Sequence, residues 1–257
     1  MPIFSGKLID TMTKGWSQIE FAGHAAEVFE PSRVADERFA VLYLHEYGGN
    51  RLLKDEQVTA ALDKRGVRVL APAGGVCGWL DRPFAEFDPL RSPLDFLEEA
   101  IPAEMLSRWN VAPPGIGLCG FEIGGQGVLQ LAYRKPRQYP VVAAISPAVD
   151  FHAWYGHGLS IDRMYESKED ARQSTVILKL HPLNWPAHQW LMCDPADLSV
   201  IEGVERLISK LNSSGILNDS DIITGSGGDR VQYLRTNIDR VLEYILHGLE
   251  FESRRLV

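Results

Sequence analysis

Leu118-Cys119-Gly120-Phe121-Glu122-Ile123-Gly124-Gly125-Gln126-Gly127 is the stretch on which the fold of this chain turns. The apolar run Ile116-Gly117-Leu118-Cys119 reads as a short strand that ends at Gly120, and a helix is expected from there to about Arg134. A strand that reverses this sharply into a helix holds the central residue of the turn in a strained backbone conformation. Small residues are then needed two positions before and two after, where strand and helix approach closely. Gly120 and Gly124 stand at those positions, with Glu122 at the centre, where a side chain projects from the top of a sheet beside a helix N-terminus. A glycine-rich turn of this kind also serves as a phosphate cradle. Here there is no G-x-x-x-x-G-K-[ST], and a glutamate inside the cradle would repel the phosphate.

Working outward, apolar runs too short for helices alternate with helical patterns. Phe39–Leu44, Val67–Pro72, Val141–Ser146, Trp190–Cys193 and Asp221–Thr224 read as further strands. Residues 53–65, 94–109 (opening near Pro93), 201–213 and Val231–Phe251 read as helices. In the last, Ile238, Val241, Leu242, Ile245 and Leu246 fall at spacings of three and four, a core-facing stripe. Gln18–Phe21 and Ala26–Phe29 alternate around a turn at Gly23, an antiparallel lead-in. Strands alternating with helices specify an α/β fold with a mostly parallel sheet covered on both faces, and continuous apolar strands are what such a sheet requires. No linker or repeat interrupts residues 1–257, so one domain is expected, with a lid-like insertion around residues 150–186.

Composition narrows the function. The chain has 257 residues, 45% hydrophobic and 23% charged, which suits a globular core and not a disordered chain. A formal charge of -8 argues against nucleic acid and anionic membrane as partners. No apolar run approaches the roughly 20 residues that span a bilayer. The segment Met1–Lys7 does not read as a signal peptide, and a cytoplasmic location is expected. Cys77, Cys119 and Cys193 are odd in number, lack C-x-x-C spacing and sit among apolar residues, so they read as reduced, buried side chains.

Four segments together resemble the esterase branch of the α/β-hydrolases, the branch of esterase D and S-formylglutathione hydrolase. Leu42-Tyr43-Leu44-His45-Glu46-Tyr47-Gly48-Gly49-Asn50 is similar to the family's oxyanion loop, His-Gly-x-Gly-Gly. Gly120–Gly127 resembles the Gly-x-Ser-x-Gly-Gly elbow. Cys193-Asp194-Pro195-Ala196-Asp197 resembles the turn that bears the triad acid, and Gly227-Gly228-Asp229-Arg230-Val231-Gln232-Tyr233 resembles the Gly-Gly-His segment that bears the base. The resemblance runs from about residue 20 to about residue 250. It implies an α/β-hydrolase fold, a carboxylic-ester hydrolase ancestry, an acid at Asp197, and oxyanion-hole donors on the backbone of Tyr47 and Ile123. No cofactor or metal is implied, and the ligand class is a small ester-like molecule. Homo-oligomerisation is left open.

The departures from the pattern bear on the chemistry. Glu122 stands at the serine position, Asp229 at the histidine position and Glu46 at the oxyanion glycine, and no other G-x-S-x-G exists in the chain. Glu122 has no hydroxyl to activate, and an aspartate in place of the histidine is a weak base at pH 7. Glu122, Asp197 and Asp229, with Glu46 close by, are expected to converge. Carboxylates brought that close need a proton, a cation or a metal, and Arg230 is the nearest cationic partner in sequence. The helix N-terminus favours a charge at Glu122 by up to about 1 kcal/mol. A Glu122 side chain folded back onto the donors of Tyr47 and Ile123 would plug the site with the protein's own carboxylate.

Three readings follow. One is a relative without Ser-His-Asp activity that binds a ligand or partner. The second is a hydrolase with carboxylate chemistry at Glu122, aided by a histidine such as His157 or His188. The third is a structural or interaction protein with a filled cleft. Trp79, Asp81, Trp154, Tyr155 and Trp185 are candidates for lining an open pocket. His181 and His188, around Pro182 and Pro186, read as part of a rigid loop.

Overall fold

The computed structural model describes residues 15–49 and 55–255. Among the described residues, eight strands form one sheet in the order β1-β2-β4-β3-β5-β6-β7-β8. They are β1 (Trp16–Phe21), β2 (His24–Phe29), β3 (Ala40–Leu44), β4 (Val69–Pro72), β5 (Ile116–Phe121), β6 (Val141–Ile145), β7 (His188–Met192) and β8 (Asp219–Asp221). Strands β3 to β8 run parallel to their neighbours, and β1 and β2 enter antiparallel, as the alternation in the lead-in implies. The tight turn between β1 and β2 places both Ala22 and Gly23 at positive φ.

Because side chains alternate along a strand, each strand feeds two cores. Leu42, Leu44, Leu118, Val142, Ala144 and Leu191 point to one face. There they meet α2 (Pro93–Trp109), α3 (Ile123–Arg134) and α6 (Ile201–Ser213). Val41, Tyr43, Cys119, Phe121, Ala143 and Trp190 point to the other, under α1 (Glu56–Arg65) and α7 (Arg230–Arg255). The stripe expected along the closing helix is the one buried: Ile238, Val241, Leu242 and Ile245 all lie in this second core.

Helix ends follow local chemistry. Asp55 caps α1 by accepting from the N–H groups of Gln57 and Val58, and Gly66 closes it at φ +63°. Ser92 caps α2, with Pro93 in its first turn. The strand expected at residues 221–224 is shifted toward the N-terminus, to Asp219–Asp221. The Asp221 carboxylate accepts from the N–H groups of Ile223 and Thr224, turning the chain away from the sheet and leaving Ile223 89% exposed.

Residues 150–186 contain two short helices, α4 (Ile161–Met164) and α5 (Lys168–Gln173), between tight turns at Phe151–Trp154 and Val176–Leu178. This stretch is tied to the elbow helix α3. Val176 N–H donates to Gln126 Oε1 at 3.2 Å, and Gln130 Nε2 donates to the Ser174 carbonyl at 2.9 Å. It is also tied to the loop after β3, where Tyr47 and Ser160 exchange hydrogen bonds of 2.9–3.0 Å.

Candidate active-site cleft

The elbow between β5 and α3 is built as its glycines require. Glu122 sits at φ 53°, ψ −115°, a conformation that costs a non-glycine residue on the order of 1–3 kcal/mol. It is held there by backbone bonds. Its N–H donates to the Ile145 carbonyl at 3.0 Å, and its carbonyl accepts from Ala148 N–H at 2.9 Å. A Cβ on Gly120 would meet the Gly124 carbonyl oxygen at 2.2 Å, and one on Gly124 would meet the Leu44 carbonyl oxygen at 2.1 Å. Neither position has room for a methyl group.

The Glu122 side chain does fold back. Tyr47 N–H donates to Glu122 Oε2 at 2.9 Å, so the first expected oxyanion donor is occupied by the protein's own carboxylate. Ile123 opens α3, and its N–H belongs to the first-turn donors that no helical carbonyl can reach. The loop that presents Tyr47 is wired through His45. Gly74 N–H donates to His45 Nε2 at 2.9 Å, which leaves Nδ1 to donate to the Glu46 carbonyl at 2.5 Å. Burial lowers the pKa of this imidazole, so it stays neutral in its structural role. Trp79, a candidate pocket residue by sequence, is instead fully buried, and its indole donates to the His45 carbonyl at 3.0 Å. Glu46 serves the loop through its backbone carbonyl.

The largest departure from the sequence reading concerns the base position. Asp229 is exposed and does not join the carboxylates. It caps α7: its Oδ1 accepts from Gln232 N–H at 3.0 Å, three residues into the helix. The next residue, Arg230, turns inward and stands between Asp197 and Glu122. Arg230 Nη1 donates to Glu122 Oε1 at 2.7 Å, Nη2 donates to Asp197 Oδ1 at 3.0 Å, and Nε donates to Asp197 Oδ2. Ser199 completes the cluster: its hydroxyl donates to Asp197 Oδ1 at 2.6 Å and accepts from Arg230 Nη2. Burial works against the Asp197 charge, but Arg230 and Ser199 outweigh it and hold the carboxyl below its ordinary range. The Asp197 hydrogen bonds in turn raise the guanidinium. Asp197, Arg230 and Glu122 thus stand in a row of charges that alternate minus, plus, minus.

Asp194 is the residue of this segment that reading it as a bearer of the acid passes over. It is fully buried and accepts from the N–H groups of Ala196 (2.9 Å), Ser226 (2.6 Å) and Gly228 (2.9 Å), and from the Ser226 hydroxyl (2.9 Å). Burial raises its pKa, but these donors prevail and hold it down to about 2. It thereby ties the end of β7 to the loop before α7 and sets where Arg230 enters. Two aspartates three apart at a strand end, followed later by a Ser-Gly-Gly loop, were the available signal.

Other candidates lie elsewhere. His157 is exposed, and His188 sits at the start of β7, at the opposite end of the sheet, with Nε2 3.1 Å from Glu252. His181 accepts from Leu183 N–H at 3.2 Å, and Tyr155 donates to the Glu166 carbonyl at 2.9 Å, both loop contacts. Asp81 pairs with Arg134 at 3.2 Å, and Trp185 lines a separate groove with Pro136 and Arg137. Trp154 does border the cleft. It packs edge-on against Tyr47 at 5.8 Å between centroids and lines a cavity of about 270 Å³ with Ala148, Phe151, Leu198 and Ser199.

In sequence, no family model matches the chain and no curated protein matches it. In structure the matches are extensive. An S-formylglutathione hydrolase from Agrobacterium tumefaciens superposes with a TM-score of 0.76 at 14% identity, over 95% of this chain and 100% of that one. An S-formylglutathione hydrolase from Staphylococcus aureus gives 0.69 at 11% identity, over 90% and 98%. A ferulic acid esterase gives 0.67 at 13% identity, over 89% and 97%. Among the described residues no helix is long and apolar enough to cross a membrane. With its mostly parallel sheet, antiparallel lead-in and strained elbow, the chain has the α/β-hydrolase fold, in the form seen in these esterase-type enzymes.

Proposed function

We propose that this chain is a non-hydrolytic member of the esterase-type α/β-hydrolases, one that works by binding a small molecule with an ester-like or carboxyl group instead of cleaving an ester. The observation that carries the reading is the Glu122 carboxylate itself. One oxygen takes the Tyr47 N–H and the other takes Arg230, so the residue at the nucleophile position is spent on closing its own oxyanion site. Serine chemistry needs a hydroxyl at the elbow and, beside it, a base that accepts its proton; Glu122 has no hydroxyl, and the guanidinium beside it accepts no proton. Carboxylate-nucleophile chemistry needs a base to activate water. His45, the histidine of the oxyanion loop, is locked by hydrogen bonds at both ring nitrogens.

The test is hydrolysis of p-nitrophenyl acetate by the wild type, Glu122→Ala, and two restoring pairs. Since Arg230 and not Asp229 reaches the acid, Glu122→Ser with Arg230→His is expected to gain esterase activity over an inert wild type. Glu122→Ser with Asp229→His should stay inert. Turnover by the wild type that Glu122→Ala abolishes would overturn the proposal and assign Glu122 the nucleophile's part.

A further inference from the structure

Glu122 is bound as a ligand would be. A backbone N–H holds one carboxylate oxygen at 2.9 Å and a guanidinium nitrogen holds the other at 2.7 Å. A peptide N–H and an arginine on opposite oxygens form a receptor for a planar carboxylate, the charge-assisted arrangement that gives the strongest of the common hydrogen bonds. Arg230 is preorganised for this by Asp197 and Ser199, which fix its other two nitrogens. Next to the receptor lies the cavity of about 270 Å³. It adjoins the cluster through Ser199 and the elbow through Ala148, whose N–H donates to the Glu122 carbonyl; Trp154, Phe151 and Leu198 give it an apolar side, and Asp150, His152, Glu202 and Arg206, with Arg206 paired to Asp150, give it a polar one.

Resting on the non-hydrolytic reading above, we infer that the molecule bound is a small monocarboxylic acid with a short apolar body. Its carboxylate exchanges with that of Glu122 on Tyr47 N–H and Arg230, and its body enters the cavity between Trp154 and Leu198. Glu122 is then an internal competitor that sets the affinity. The chain discriminates by charge, because an alcohol or amide of the same length cannot take over the guanidinium contact with equal strength. The wild type binds weakly, since the entering carboxylate must displace one already tethered in place.

The experiment is isothermal titration of butyrate, n-butanol and butyramide into the full-length chain. Wild type is compared with Glu122→Ala, Glu122→Gln, and Glu122→Ala combined with Arg230→Met. Butyrate should bind the wild type saturably, and should bind Glu122→Ala more tightly by about tenfold or more, the scale of one charge-assisted hydrogen bond. Arg230→Met should erase that gain, and butanol and butyramide should show none. Glu122→Gln keeps the side chain's volume but not its charge, and carries the test if the alanine variant does not fold; it too should bind butyrate more tightly than the wild type. The inference is overturned if the wild type shows no saturable butyrate binding, if neither variant gains, or if butanol gains as much as butyrate. Ester turnover by the wild type would sink the non-hydrolytic reading while leaving these affinities as they are, so the two failures are distinguishable.

Discussion

Arg230 Nη1 lies 2.7 Å from Glu122 Oε1, joining the first turn of the last helix to a residue 108 positions earlier at the elbow. Asp197 receives the rest of the same guanidinium, so one cation serves two partly buried carboxylates from different strand ends. Replacing it by methionine leaves both without a counter-charge. Arg230→Met should therefore lose about 2–3 kcal/mol in urea denaturation at pH 7. The loss has a defined pH dependence. The folded-state pKa of Asp197 is depressed, so its contribution is present above the unfolded value near 4 and vanishes as pH falls through the lower folded value. The wild type and Arg230→Met should converge in stability as pH drops below about 4. Arg230→Lys should recover only part, since an ammonium cannot span both carboxylates in the planar, bidentate way.

Asp229→Ala, one residue away, should behave differently. It removes a helix cap and should cost about 1 kcal/mol, with Asp229→Asn nearly neutral. Neither should alter butyrate affinity, because Asp229 does not touch the cleft.

Asp194 should be among the least replaceable residues of the chain. Asp194→Ala strands three backbone N–H groups and a hydroxyl, and a loss of about 2–4 kcal/mol is expected by thermal or urea unfolding. With its carboxyl held down to about 2, the Asp194 contribution should be intact at pH 5 and decline as the pH falls from about 4 toward 2.

The cysteines give an inexpensive check on the packing around the sheet. Cys77, Cys119 and Cys193 are free and fully buried or nearly so, and burial pushes each thiol up to about 12. All three should be silent to a disulfide reagent at pH 8 in the native protein and react once it is unfolded in guanidinium. Rapid labelling of any one under native conditions would contradict the packing described here.

Gly124→Ala tests the elbow. Its Cβ would fall 2.1 Å from the Leu44 carbonyl oxygen, a backbone atom that cannot swing away, and a destabilisation of about 3 kcal/mol or more is expected.

The sheet, the elbow and the closing helix were legible because they rest on local rules. Apolar runs flanked by glycines specify parallel strands, and Gly120 and Gly124 specify the turn around Glu122. The oxyanion contact of Glu122 could also be argued from its position beside Tyr47. What was not legible was the direction of Arg230. Matching residue for residue puts Asp229 where a histidine is expected, but α7 starts at Arg230, one residue before the expected Val231. Asp229 becomes its cap and Arg230 its first inward-facing side chain. Pattern spacing counts residues, whereas a helix start sets which of two neighbours faces the cleft. Asp194 was hidden for a related reason: its partners are backbone N–H groups of a loop more than thirty residues later, and no pairing of side-chain types announces them.

Strand β8 has a consequence for assembly. It closes one side of the sheet with only Asp219, Ser220 and Asp221, and the chain leaves it at Ile223. A second copy laid antiparallel along that border about a two-fold axis would find only three residues of backbone to zip against. Growth of a continuous sheet across two molecules thus has little backbone to build on at this border.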